Sequence, residues 1–268
     1  MFVPFRTTRT VIQRLLAQNT AVTPIDVEGR TSDVYAKLDK IINGQDGVVD
    51  GTSLQNFWFP TQAAEYDVFI SHSHNDLGYA VNLASWLERR CGLRCFIDHF
   101  VWNSADDLLK RIDEIYTWEP DRNVYDYNKR NFSTSHVHAM LSMAILDIID
   151  RSECCLFIES GESISLEGIK TKTLSPWIYE ELTYIKKCRI TIPERYQHLR
   201  SQVRMYAEGA RMEMLNESRE LEVSYDVNLK DFAGIDVNDL QSLQGQGVHG
   251  LDLLYKRKSI LRFRELLR

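Results

Sequence analysis

The chain has 268 residues and a mass of 31.2 kDa, enough to bury a full core without a disulfide or metal staple. Hydrophobic residues make up 44% and charged residues 26%, and six prolines with thirteen glycines exclude collagen, a low-complexity linker and a long disordered tail. The 32 Lys and Arg against 38 Asp and Glu leave a net charge of −6, the opposite of the basic face that a general nucleic-acid binder carries.

The five cysteines, Cys91, Cys95, Cys154, Cys155 and Cys188, are odd in number and lack the spacing of a disulfide framework. They read as buried free thiols of a reducing compartment. No apolar run approaches the roughly 18 residues of a membrane span. The opening "MFVPFRTTRTVIQRLLAQN" lacks the apolar core of a signal peptide and reads as a short amphipathic helix carrying Val11, Ile12, Leu15 and Leu16. A cytoplasmic location, with no membrane and no nucleic acid as partner, is the expectation.

Residues 1–62 read as an N-terminal extension that ends at Pro60. Its turn "DKIINGQDGVVDG" lacks the ligand pattern and closing Glu of a calcium loop and is a solvated turn. From residue 65 short apolar runs alternate with helical periodicity. "YDVFI" (66–70) is a strand. Leu77 to Arg90 is a helix, with Asn75 or Asp76 placed to cap it. "LRCFI" (93–97) is the second strand and Asp106 to Tyr116 a helix. Residues 117–135 look like an inserted polar loop, followed by a buried helix from His136. "ECCLFIE" (153–159) is the third strand, Trp177 to Lys187 a helix, and "RITI" (189–192) the fourth strand. This alternation predicts a doubly wound α/β domain over 63–193 with a parallel sheet covered on both faces. Residues 194–268 read as a mainly helical C-terminal part, a candidate to complete that domain. It has a charged helix over about 194–221, a strand-like "LEVSYDVNL", and a basic terminal helix packing Leu261 and Leu266.

Two motifs carry less than their letters suggest. Gly245-Gln-Gly247-Val-His-Gly250 matches a dinucleotide fingerprint, but it follows the polar "DLQSLQ" and leaves no room for a second strand, so it reads as a flexible loop. The pairs His72/His74 and His136/His138 lack a spaced partner to complete a zinc site, and His136 and His138 point to different faces of their helix.

The strand ends are more informative, because ligands of open parallel sheets sit beyond the carboxyl ends of the strands. The first strand ends in Ser71, His72, Ser73, His74, Asn75 and Asp76. The second leads into "DHFVWNSADD", and the fourth helix opens as "SPWIYEEL". There Trp177 and Glu181 are four residues apart and share a face, which sets an aromatic plane beside a carboxylate. Such a pair suits a nucleotide sugar whose reaction builds positive charge, although composition alone favours the plainer reading, Glu180 and Glu181 as solvated helix charges and Trp177 as core.

"YDVFISHSHND", a helix, "FIDHFVWNSADDLLKRID", "CCLFIES" and "SPWIYEEL", in that order, resemble the Toll/interleukin-1 receptor (TIR) domain family over about residues 65–193. The resemblance implies a flavodoxin-like fold of five parallel strands and cleavage of the nicotinamide–ribose bond of NAD, a consumed substrate, with no cofactor and no metal. It makes Glu181 the catalytic acid and Trp177 its motif partner. Ser71 and His72 line the pocket, and Phe100, Trp102 and Asp106 belong to the loop that moves in assembly and substrate gating. Ser104-Ala105-Asp106 stands where many bacterial members carry Pro-Gly-Asp. By analogy the chain acts in bacterial anti-phage defence, as in Thoeris systems. It would work as a homo-oligomer through TIR–TIR contacts, passing a cyclic or conjugated ADP-ribose to a separate effector protein. The alternatives are a non-catalytic TIR interaction module and a nucleoside deoxyribosyltransferase-like enzyme.

Overall fold

A computed structural model describes residues 1–18, 32–43, 48–61, 65–97, 99–167, 170–196 and 223–260. The chain begins with a strand, β1 (Val3–Thr8), that runs into helix α1 (Arg9–Ala17), where the Thr8 side chain accepts from the Val11 amide as an N-cap. Helices α2 (Ser32–Ile42) and α3 (Gly51–Trp58) follow, the second capped by Asp50. Strand β2 (Val68–Ser71) leads through a 3-10 turn at His74–Asp76 into α4 (Leu77–Trp86). A π-helical turn, Leu87–Cys91, extends α4 and is stopped by Gly92 at φ 70°, a left-handed conformation that glycine adopts without strain.

Strand β3 (Cys95–Ile97) precedes helix α5 (His99–Tyr116). The expected polar loop at 117–135 is instead a small hairpin, β4 (Trp118–Glu119) with β5 (Val124–Tyr125), and the first turns of helix α6 (Tyr127–Arg151). Asp126 caps α6 by accepting from the Lys129 amide, so the helix starts nine residues before His136. Its polar first turns carry no apolar periodicity, which hid them. Strand β6 (Cys154–Glu159) is followed by a small antiparallel sheet of β7 (Ser165–Glu167), β8 (Lys170–Thr173) and β9 (Tyr225–Val227). Helix α7 (Pro176–Lys187) lies between β8 and β9 in sequence, and the chain goes on to β10 (Ala233–Gly234), α8 (Val237–Gln241) and α9 (Val248–Arg257).

Five strands form one parallel sheet in the order β10-β1-β6-β2-β3. The architecture is α/β, a parallel sheet flanked by helices on both faces. Strand alternation sorts the core into two halves. Val3, Phe5, Val68, Ile70, Cys154, Leu156 and Ile158 pack with α1, α4, α8 and α9. Phe69, Cys155 and Phe157 pack on the other side with α2, α3, α5, α6 and α7. Because β2 and β6 are covered on both sides, they read as near-continuous apolar runs.

Two expectations are corrected here. The segment 1–62 does not stand apart, because β1 sits inside the sheet, in register with β6 from Val3 opposite Cys154 to Thr8 opposite Glu159. "RITI" forms no strand; of its backbone the Thr191 amide donates to the Met1 carbonyl at 2.9 Å. The place beside β6 that an alternating pattern assigns to it is already filled by β1. Pro4, Arg6 and the two threonines break the apolar run of "VPFRTT", which concealed that strand. Leu261, Leu266 and most of the proposed 194–221 helix fall outside the described residues. Within that last span, 194–196 form a short 3-10 turn.

Among the described residues α6 is the one helix long and apolar enough to cross a membrane by length and composition. It buries Val137, Leu141, Ala144, Ile145, Ile148 and Ile149 against its neighbours.

Candidate active site

The carboxyl ends of β1, β2 and β6 share one edge of the sheet, as parallel strands require. On β2 the parity that turns Phe69 toward α5, α6 and α7 turns Ser71 the same way. Ser71 is fully buried and its hydroxyl donates to Glu181 Oε2 of α7 at 2.6 Å. Helix α7 is aimed at this edge by Ser175, whose side chain accepts from the Ile178 amide, and by Pro176 in its first turn.

Glu181 has no solvent exposure, so it is not the solvated helix charge that composition alone favours. Its neighbour Glu180 accepts a 2.6 Å bond from the Tyr184 hydroxyl one turn on. The two adjacent acids therefore have different partners. Glu181 engages the strand end, and Glu180 engages its own helix.

Beside this pair lies a cleft of about 300 Å³ lined by His72, His74, His99, Ala105, Asp106, His138, Leu141, Ser175, Trp177 and Ile178. That is the small end of the range for ligand pockets. Trp177 is half-buried on its wall and meets the His138 ring edge-on, with centroids 5.2 Å apart. The structure thus gathers Ser71, Glu181, His72, Trp177 and Asp106 at one place. The loop expected around Phe100, Trp102 and Asp106 is helical instead, because α5 starts at His99. Asp106 reaches the cleft; the side chains of Phe100 and Trp102 lie outside the described residues.

Two features of this edge went unread in the sequence. His99 and His138 line the cleft with His72 and His74, so four of the seven histidines in the chain converge, from the residues just after β2, from α5 and from α6. His136, two residues from His138, is exposed and packs on Phe132 at 4.5 Å, as the helical spacing requires. The second feature is a buried anchor at Asp76. It accepts from Ser160 at 2.5 Å and pairs with Arg9, whose guanidinium also stands over Tyr79 at 5.6 Å. This anchor joins the start of α1, the start of α4 and the end of β6, and it keeps Asp76 from capping α4 with its side chain. Local spacing gives no sign of contacts between residues so far apart in the chain.

The Gly245–Gly250 motif is not a nucleotide loop here. It follows α8 rather than a strand, and Gly247 at φ 55°, ψ −143° forms the N-cap of α9 in a backbone conformation reserved for glycine. Among the described residues no group of three or more His, Cys, Asp or Glu is arranged to hold a metal ion. Comparison with known protein families, with curated proteins and with solved structures returns no match to this chain.

Proposed function

We propose that the chain is a TIR-type enzyme that cleaves the nicotinamide–ribose bond of NAD. In this reading it releases a cyclic or conjugated ADP-ribose as a signal to a separate effector in anti-phage immunity. The observation that carries the reading is the buried Glu181, bonded to Ser71 at the end of β2 and one turn beyond the cleft-lining Trp177. A buried carboxylate beside a cleft is costly for the fold and is kept where its charge is used. Three neighbouring strands, β3-β2-β6, follow the 2-1-3 end of the flavodoxin-like order, whereas β1, the first strand of the chain, stands in the fourth place and departs from it.

The chemistry follows from those residues. As nicotinamide leaves, positive charge grows on the ribose, and a fixed carboxylate lowers the energy of that transition state more than of the ground state. Ser71 holds one oxygen of Glu181, which orients the carboxylate before substrate arrives. Trp177 offers a flat apolar wall for the ring that departs. Capture of the ribosyl cation by water, by the adenine or by another acceptor then sets the product.

Incubation of the purified chain with NAD, with products resolved by chromatography and mass spectrometry, tests this. Glu181→Gln keeps the volume and the bond from Ser71, and it is expected to lower nicotinamide release on the order of a hundredfold or more. Glu180→Gln is expected to retain turnover. Absence of nicotinamide release from the concentrated wild-type chain would favour the non-catalytic interaction module instead.

A further inference from the structure

The cleft has an unusual electrical make-up. Among its described lining residues there is no lysine or arginine, one acid, Asp106, and four histidines. His99 lies 5.1 Å from His74 and 6.5 Å from His72, centroid to centroid, so three imidazoles from three elements form one cluster. His138, on α6, also lines the cleft and packs against Trp177. His72 is buried, His74 is exposed and His99 is half-buried.

Several charged groups of the surrounding elements have partners outside the cluster. Arg6 is held by Glu159 at 2.7 Å, and Arg9 by Asp76. On α7, Glu181 accepts from Ser71 and Glu180 from Tyr184. On α5, Asp107 accepts from Tyr35 at 3.3 Å, while Arg111 is paired with Asp39 and Asp113 with Arg130. Asn75, beside the cluster, donates to Glu162 at 2.9 Å. With neutral imidazoles the one charged group among the described lining residues is Asp106, which repels an anion.

Protonation reverses that sign. Imidazole changes charge around pH 6.5, and two neighbouring imidazolium ions repel unless an anion lies between them. We infer that the histidine cluster is a proton-coupled diphosphate site, which binds the diphosphate of a nucleotide substrate as the paired imidazoles of His74 and His99 take up protons, with His72 beside them. The ligand class rests on the NAD reading above; the proton coupling rests on the histidine cluster and on there being no lysine or arginine among the described lining residues. The device makes affinity for the substrate rise as pH falls.

ADP-ribose is a suitable probe, because its diphosphate keeps one charge state across neutral pH and it has no nicotinamide to lose. Calorimetric titration of the full chain between about pH 5.5 and pH 8.5, in two buffers of different ionisation heat, reads both affinity and proton uptake. The expected result is uptake of about one proton or more near pH 7, with affinity falling about tenfold per pH unit for each proton above the imidazole range. His74→Gln and His99→Gln should each reduce the uptake and flatten the slope, and His136→Gln, outside the cleft, should change neither. Nicotinamide riboside, which lacks the diphosphate, should show no proton uptake.

Affinity independent of pH, uptake unchanged in both cleft variants, or no binding at any pH overturns the inference. Nicotinamide release from NAD combined with ADP-ribose binding that takes up no proton overturns it and leaves the enzymatic reading standing. Proton-linked ADP-ribose binding without NAD turnover sustains it and removes that reading.

Discussion

Burial of single ionisable groups gives this chain a defined response to alkali. The Cys91 thiol is pushed up to about 12 by burial, and burial raises Cys95, Cys154 and the Tyr255 phenol well above their ordinary values of about 9 and 10. All four stay protonated in the folded state after they would ionise in the unfolded chain. A folded-state value raised in this way stabilises the fold fully below the unfolded value, and that contribution is lost as pH rises toward the folded one. Urea midpoints should therefore stay level from about pH 7 to 8.5 and fall steadily above about pH 9.5. A midpoint unchanged at about pH 10.5 would show that these groups ionise freely in the fold. The same physics makes these thiols poor nucleophiles, since the thiolate is the reactive form.

Among the elements, α9 is tied to the amino end of β6 through Arg195 and Tyr255. Arg195 spans Glu153, at 2.5 and 2.8 Å, and Asp252 of α9, at 2.7 Å, with its guanidinium 5.1 Å from the Tyr196 ring centre. Tyr255 of α9 donates to Glu153 at 2.7 Å. Glu153 and Asp252 are only 15% and 16% exposed, so removing the cation strands two poorly hydrated carboxylates. Arg195→Leu should lower stability by about 2–3 kcal/mol, read from denaturant unfolding, because broken buried pairs cost more than surface ones. A loss under about 0.5 kcal/mol would mean that solvent already carries these charges. The Asp76 anchor at the opposite edge performs the same task for α1, α4 and β6, nearer to the cleft.

On the scale of the whole molecule, β1 decides what counts as the domain. It pairs with β6 on one side and β10 on the other, and it carries Val3 and Phe5 into the core. A chain lacking residues 1–8 loses an inner strand, exposes the edge of β6 and leaves β10 without its partner. Such a truncation is expected to lack a cooperative unfolding transition by circular dichroism and to accumulate as insoluble protein. A truncated chain that unfolds cooperatively near the wild-type midpoint would return the first strand to the status of a dispensable extension.

Much of this architecture is legible in the residues themselves. "YDVFI", "LRCFI" and "ECCLFIE" read as strands because a strand covered on both faces needs an unbroken apolar run, and the structure places β2, β3 and β6 within them. Leu77–Arg90 and Trp177–Lys187 read as helices because their apolar residues recur on one stripe. The four-residue step from Trp177 to Glu181 puts both on one helix face, since that is a local property of helical geometry. Local pattern misses "VPFRTT", whose polar positions look like loop until β6 and β10 supply partners, and it assigns a strand to "RITI", which has the right composition and no place in the sheet. The four-residue spacing from Trp177 prefers Glu181 over Glu180, and packing gives the two acids different partners, Ser71 at the end of β2 for Glu181 and Tyr184 for Glu180. The histidine cluster is the extreme case. His72, His99 and His138 are carried by three elements, and a sheet that brings distant strand ends to one edge is what makes them neighbours. Local order follows from side-chain periodicity along a short stretch of chain, whereas the site depends on which strand lies beside which, a choice made by long-range packing.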